Sequence, residues 1–294
     1  MSVALATRDL SKRYGRRWAL ADCTLEVPAG RVAGLVGPNG AGKTTLLHLA
    51  VGLNQPTAGS VAVLGEAVAA TPAQLARLGF VAQDTRLYPS LSVADHLRLG
   101  AALNPGWDAP LAQARVARVG LDRAQRAGTL SGGQRAQLAL TLAIAKRPEL
   151  LVLDEPLASL DPLARREFLQ GLMEFTAEHT PTVVLSSHLL ADLERVCDYL
   201  ILLTEGRVLL SGEVDGLLAT HRRLSGPRRD GLRLPPSQEV VEETHTDRQS
   251  TLLVRTEEPI IDPAWSVDEV GLEDIVLAYM GRKADAGELP RNGR

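Results

Sequence analysis

The stretch Val32-Ala33-Gly34-Leu35-Val36-Gly37-Pro38-Asn39-Gly40-Ala41-Gly42-Lys43-Thr44-Thr45-Leu46-Leu47 decides the fold. Val32 to Val36 is apolar with a single glycine, the pattern of a strand buried on both faces. From Lys43 the apolar positions Leu46, Leu47, Ala50 and Val51 recur at helical spacing, and Gly52 supplies a stop. The turn between them fits GxxxxGK[ST] in the strand, glycine turn, helix context that the motif requires. Glycines allow backbone N–H groups to converge on phosphate oxygens at a helix N-terminus, where Lys43 reaches the outer phosphates and Thr44 offers a hydroxyl to Mg²⁺. Gly37, Pro38, Asn39, Gly40, Ala41, Gly42, Lys43, Thr44 and Thr45 are therefore the candidate phosphate-binding residues. Only four of the 32 basic residues are lysines, so a lysine in this turn stands out against an arginine background.

Two further apolar runs, Leu150 to Leu153 and Thr182 to Leu185, flank a helical stretch from Leu163 to Glu178, as parallel strands with a crossover helix do. The body is read as α/β. The first run ends in Asp154-Glu155, two carboxylates suited to different tasks. Asp154 is positioned to hold Mg²⁺ through water, and Glu155 to polarise an attacking water. Between the two motifs, residues 89–145 are rich in Ala, Leu and Arg, with apolar residues three and four apart and breaks near 104–110 and 128–133. This segment reads as a helical subdomain.

The 294 residues suggest about two domains, and 45% hydrophobic with 23% charged residues leaves ample material for a core. A net charge of −3 gives no whole-chain basic excess for nucleic acid, and none is expected as a partner. No apolar run reaches the roughly 18–20 residues that cross a bilayer, and no secretory signal opens the chain, so a cytoplasmic protein is expected. Cys23 and Cys197 lack metal spacing and read as buried thiols. Arg, Gly and Pro enrichment over 222–236 reads as a linker between a domain at 1–221 and a small α+β appendage at 237–294. In the appendage, 239–244 and 250–256 alternate like strands, 272–280 has helical spacing, and 282–294 reads as a loose tail.

Leu130-Ser131-Gly132-Gly133-Gln134, placed between the phosphate loop and the carboxylates, resembles the signature of ATP-binding cassette (ABC) ATPases. Ser131, Gly132, Gly133 and Gln134 open a helix and form a second anion-facing cap. The resemblance implies a P-loop ATPase core using ATP and Mg²⁺, with this cap closing over ATP held by a second copy in a head-to-tail dimer. It further implies that Tyr14 stacks on adenine and that Gln83 contacts Mg²⁺ and senses a transmembrane partner. Asp161, in Ser159-Leu160-Asp161, belongs to a dimer-contact loop while also reading as a helix cap before Pro162. His188 matches a histidine that contacts the γ-phosphate, and with Glu155 completes the catalytic pair. The partner implied is a separately encoded permease, with the chain peripheral on the inner face of the membrane and an apolar groove near 87–103 receiving a helix of that permease. The segments Leu87 to Val93 and Gly271 to Val276 resemble drug- or antibiotic-exporter ATPases, so an exporter of a drug-like, antibiotic or lipid-like compound is expected. The alternatives are a soluble ABC ATPase acting on ribosomes or DNA and the ATPase subunit of an importer.

Overall fold

The computed structural model describes residues 2–84, 87–228 and 234–281. They form two compact units, Met1–Val208 and Leu209–Arg294. The first unit opens with the hairpin β1 (Val3–Tyr14) and β2 (Arg17–Pro28), followed by β3 (Val32–Val36) and α1 (Lys43–Ala50). Next come β4 (Ala58–Val63), β5 (Glu66–Ala67), α2 (Pro72–Ala76) and β6 (Leu78–Val81). Three helices follow, α3 (Val93–Leu103), α4 (Ala109–Arg118) and α5 (Gly132–Ile144), before β7 (Leu150–Leu153). The chain continues through α6 (Pro162–His179), β8 (Thr182–Ser187), α7 (Leu190–Leu193), β9 (Tyr199–Thr204) and β10 (Arg207–Glu213), the strand along which it leaves this unit.

Strands β2, β1, β4 and β5 lie in that order in one sheet, and a second sheet runs β10, β9, β3, β8, β7, β6. In the second sheet β3 pairs in parallel with β8 and β9, and β7 with β6 and β8. All five residues of β3 are buried, as its unbroken apolar run requires of a central strand. The core between the sheets gathers Leu20, Leu35, Leu46, Leu47, Val63, Leu150 and Val184 around α1. The helical stretch has its own core of Val93, Leu97, Val116, Leu130 and Leu138, so it packs as a subdomain. Each of its helices is started by a side chain: Ser92 with Asp95, Asp108, and Ser131 with Gln134. Cys23 and Cys197 are buried free thiols, and burial pushes the Cys23 pKa up to about 11.

The second unit contains α8 (Val214–Thr220), β11 (His221–Pro227), β12 (Gln238–His245), β13 (Gln249–Thr256), β14 (Ser266–Asp268) and α9 (Leu272–Gly281). Its antiparallel sheet has the order β12, β13, β11, β14. Here the structure corrects the sequence reading. The expected linker begins inside β11, which pairs with β13 from His221↔Arg255 to Pro227↔Gln249, and the unit starts at Leu209 rather than after residue 221. Leu224 is fully buried with Leu252, Val254 and Trp265. Gly226 serves packing and not flexibility, because a Cβ there would lie 2.7 Å from the Trp265 ring. Residues 229–233 of the expected linker and the expected tail, 282–294, lie outside the described residues. Among the described residues no helix is long and apolar enough to cross a membrane.

Candidate active site

The phosphate loop joins the end of β3 to the start of α1, and its glycines are needed for backbone reasons. Gly42, the N-cap of α1, has φ +106°, and a Cβ there would sit 2.5 Å from the Ala19 carbonyl oxygen. Gly37 is tighter still, with a Cβ position 2.0 Å from Leu203 O. No side chain caps α1, and its first turn carries no acid, so its leading N–H groups face the cleft without competition from the chain's own carboxylates. The cleft has a volume of about 550 Å³. Tyr14, Asn39, Gly40, Ala41, Gly42, Lys43, Thr44, Thr45, Gln83, Glu155 and His188 all line it, as expected from the sequence, and Arg17, Ala19 and Ala158 join them.

Beneath the loop the polar groups interlock. Lys43 is 6% exposed, and its Nζ donates to Gly37 O at 2.8 Å while lying 3.2 Å from Glu155 Oε1. His188 Nδ1 lies 2.7 Å from the other oxygen of the same carboxylate, Oε2. Glu155 is 8% exposed and has φ +47°, a left-handed conformation that turns its side chain off the end of β7 into the cleft. Asp154, 1% exposed, accepts from Thr44 Oγ1 at 3.3 Å and from Ser186 Oγ at 2.9 Å. Ser186 Oγ also accepts from the Glu155 backbone N–H at 2.8 Å, so a single hydroxyl fixes both acids. Ser186 and Arg17 were not singled out by the sequence reading. Ser186 had one signal, a polar residue closing the apolar run of β8 two positions before His188.

The oxygen atoms of Thr44 and Asp154, with the Gln83 amide at the cleft edge, make a hard donor set suited to Mg²⁺ shared with phosphates. Among the described residues no cluster of three or more His, Cys, Asp or Glu forms a self-sufficient metal site.

The remaining expected residues lie outside this cleft. Ser131 caps α5 with its Oγ accepting from Gln134 N at 3.2 Å, while Gln134 Oε1 accepts from Ser131 N at 2.9 Å. Gly133 packs against α6, where a Cβ would approach Ala164 Cβ to 2.9 Å, and Gly132 has Ser159 O as its nearest neighbour. Asp161 caps α6 through Leu163 N and Ala164 N, with Pro162 in the first turn.

This geometry can be set beside known proteins. The family profile described as ABC transporter matches residues 20–158. The aliphatic sulfonates import ATP-binding protein SsuB 2 of Pseudomonas fluorescens is 40% identical over 215 residues, covering 72% of this chain and 78% of the relative. The SsuB protein of Shigella flexneri is 38% identical over 249 residues, covering 83% and 93%. Among solved structures, an ATP binding subunit of an ABC transporter aligns with a TM-score of 0.65 at 30% identity, covering 72% of this chain and 90% of the other. A nucleotide-free ATP-binding cassette from an ABC transporter aligns at 0.63 and 25% identity, covering 72% and 92%. The two curated relatives are named for import, so the exporter expected from two short segments finds no support in them. What all of them share with this chain is the cassette, and the chain belongs to the ABC transporter family as an ATP-binding subunit, an ATPase with the P-loop α/β fold.

Proposed function

We propose that the chain is the motor of a two-component transporter, hydrolysing ATP on the cytoplasmic side while a separately encoded permease carries the substrate. The observation that carries this reading is the interlock of Lys43, Glu155 and His188 with Thr44, Asp154 and Ser186 around one cleft. In this reading Tyr14 stacks on the base. The loop from Gly37 to Thr45 cradles the phosphates. When bound, Mg²⁺ neutralises phosphate charge, held by Thr44, Asp154 and Gln83.

Glu155 accepts a proton from the water whose oxygen attacks the terminal phosphorus, and the bond to the bridging oxygen breaks to release ADP. His188 holds Oε2, which leaves Oε1 directed at the cleft. The phosphate chain competes with Glu155 for the Lys43 ammonium, so binding frees the carboxylate to act as the base.

Ser131 supports a second role, completing the site of another copy in a head-to-tail dimer. Its hydroxyl oxygen accepts from Gln134 N, which leaves the O–H proton free to be donated outward to a γ-phosphate. Asp161 lies in the loop that would meet the same partner. An apolar groove of about 530 Å³, lined by Leu75, Phe80, Leu87, Tyr88, Leu99 and Leu103, suits an amphipathic helix of the permease. Tyr88 and Leu103 are 61% and 69% exposed there, more apolar surface than an isolated motor needs.

The names of the curated relatives favour import over export. Reconstitution with the permease in proteoliposomes, with ATP supplied on the motor side, tests both halves. An importer empties substrate from the lumen toward the motor side, an exporter fills it, and no ATP-dependent flux would refute the motor reading.

A further inference from the structure

The basic side chains around the cleft are not equally available. Lys43 is engaged by Gly37 O and Glu155, and His188 by Glu155. On the β1–β2 hairpin, Lys12 donates to Gln55 O at 2.7 Å and lies 5.2 Å from the centre of the Tyr14 ring, while the Arg13 guanidinium lies 5.3 Å from that of Trp18. Arg17 differs from all of these. It lines the cleft, and its side chain makes no hydrogen bond or ion pair among the described residues.

Its place is set by the hairpin. Arg17 is the cross-strand partner of Tyr14 across the two-residue turn Gly15-Arg16. A Cβ placed on Gly40 would lie 3.5 Å from Arg17 Nη2, so the guanidinium hangs over the outer edge of the phosphate loop. One side of the hairpin mouth thus offers an aromatic ring, and the next residue pointing the same way offers a planar five-donor cation beside the loop. A bound nucleoside polyphosphate has its base at the ring and its phosphates over Gly40 to Thr45, which brings the intervening phosphates under Arg17. Guanidinium suits that position because its fork matches two phosphate oxygens and it is less strongly hydrated than an ammonium.

We infer that Arg17 is a nucleotide-contacting residue that grips the phosphates common to nucleoside di- and triphosphates from the solvent side of the cleft, opposite Lys43. Because those phosphates stay with the product after hydrolysis, Arg17 strengthens ADP and ATP alike and slows the departure of both. The inference rests on the nucleotide reading of the cleft and adds the residue that closes its open side.

The test uses the full-length chain with fluorescent mant-ATP and mant-ADP in equilibrium and stopped-flow binding, for Arg17→Ala, Arg17→Glu and Arg17→Lys. Arg17→Ala is expected to weaken both nucleotides about three- to tenfold, mainly through faster dissociation. Arg17→Glu is expected to weaken them further, Arg17→Lys to recover part of the loss, and the salt dependence of binding to flatten in the alanine variant. The ligand-free melting temperature should not move, since the side chain is exposed and holds nothing. Affinities of the alanine and glutamate variants within twofold of the unaltered chain would overturn the inference while leaving the nucleotide site standing. Weakening of ATP alone would overturn the assignment to the shared phosphates. An unaltered chain that binds neither nucleotide would remove both readings at once.

Discussion

The starts of α1 and α5 both present backbone N–H groups near glycines, yet the chain treats them in opposite ways. At α1 the cap is Gly42, no side chain satisfies the leading N–H groups, and a buried Lys43 follows. At α5 the cap is Ser131, which exchanges two hydrogen bonds with Gln134 on an exposed surface. Uncapped N–H groups cost stability unless something else fills them, whereas a capping box is stable by itself. The difference teaches that α1 is shaped around a ligand this chain holds. The α5 cap keeps its own geometry through that exchange, and in the function proposed above it offers one hydroxyl proton to a ligand held by a second copy. Substitutions at the two places should therefore separate binding from turnover.

Glu155→Gln is expected to produce the largest change, a fall in steady-state phosphate release of about 10²- to 10⁴-fold, the range of general-base contributions. ATP affinity should hold or rise, because the amide no longer pairs with Lys43 at 3.2 Å. Near-normal turnover in the purified variant would give the carboxylate another task.

Lys43→Ala should act on binding. For the unaltered chain, Mg-ATP at 100 times Kd adds about 2.7 kcal/mol of stability, a shift of several degrees in Tm, and the variant should show far less. The ligand-free variant should also melt lower, since the buried Glu155 carboxylate loses the ammonium that lies 3.2 Å from it. An equal ligand-induced shift in both proteins would remove Lys43 from the site.

Ser131→Ala probes the other helix start. Turnover should fall about 10²- to 10³-fold, as loss of one transition-state donor does, with mant-ATP affinity within about twofold. Loss of the cap itself costs about 1 kcal/mol, too little to unfold the chain. Unchanged turnover by a chain that hydrolyses ATP would leave the Ser131 cap with a structural role only.

Legibility in the sequence followed how local each feature is. The phosphate loop and the Asp154-Glu155 pair were readable because each is contiguous, and their flanking apolar runs place them at strand ends. Ser186 was not, since it lies 32 residues from Asp154 and meets it only because β7 pairs with β8 at Leu153↔Leu185. Arg17 escaped for a similar reason, since nothing in its neighbours shows that the hairpin folds over Gly40. The misread linker has the same origin. Arg222, Arg223, Gly226 and Pro227 look like a spacer until β13, more than 20 residues on, supplies the partner that makes them a strand. The exporter expectation rests on two short segments, 87–93 inside the family match and 271–276 beyond it. The relatives that match the cassette are named for the opposite direction.

The smallest expected effect sharpens the comparison most. Gln134→Ala removes the acceptor of the Ser131 N–H but keeps the Ser131 hydroxyl and the backbone N–H it accepts from. Half the capping box goes, at a cost of about 0.5–1 kcal/mol in chemical denaturation, while the one group proposed to reach a γ-phosphate stays. Turnover should then fall no more than about threefold, far less than for Ser131→Ala. If instead Gln134→Ala and Ser131→Ala lose turnover equally while melting alike, the cap works by its rigidity and not through the serine proton. The contrast between the two helix starts would then be one of stiffness. If Gln134→Ala loses stability but keeps turnover, while Ser131→Ala loses both, the hydroxyl is the group that matters, and α5 offers its ligand a side chain where α1 offers its backbone.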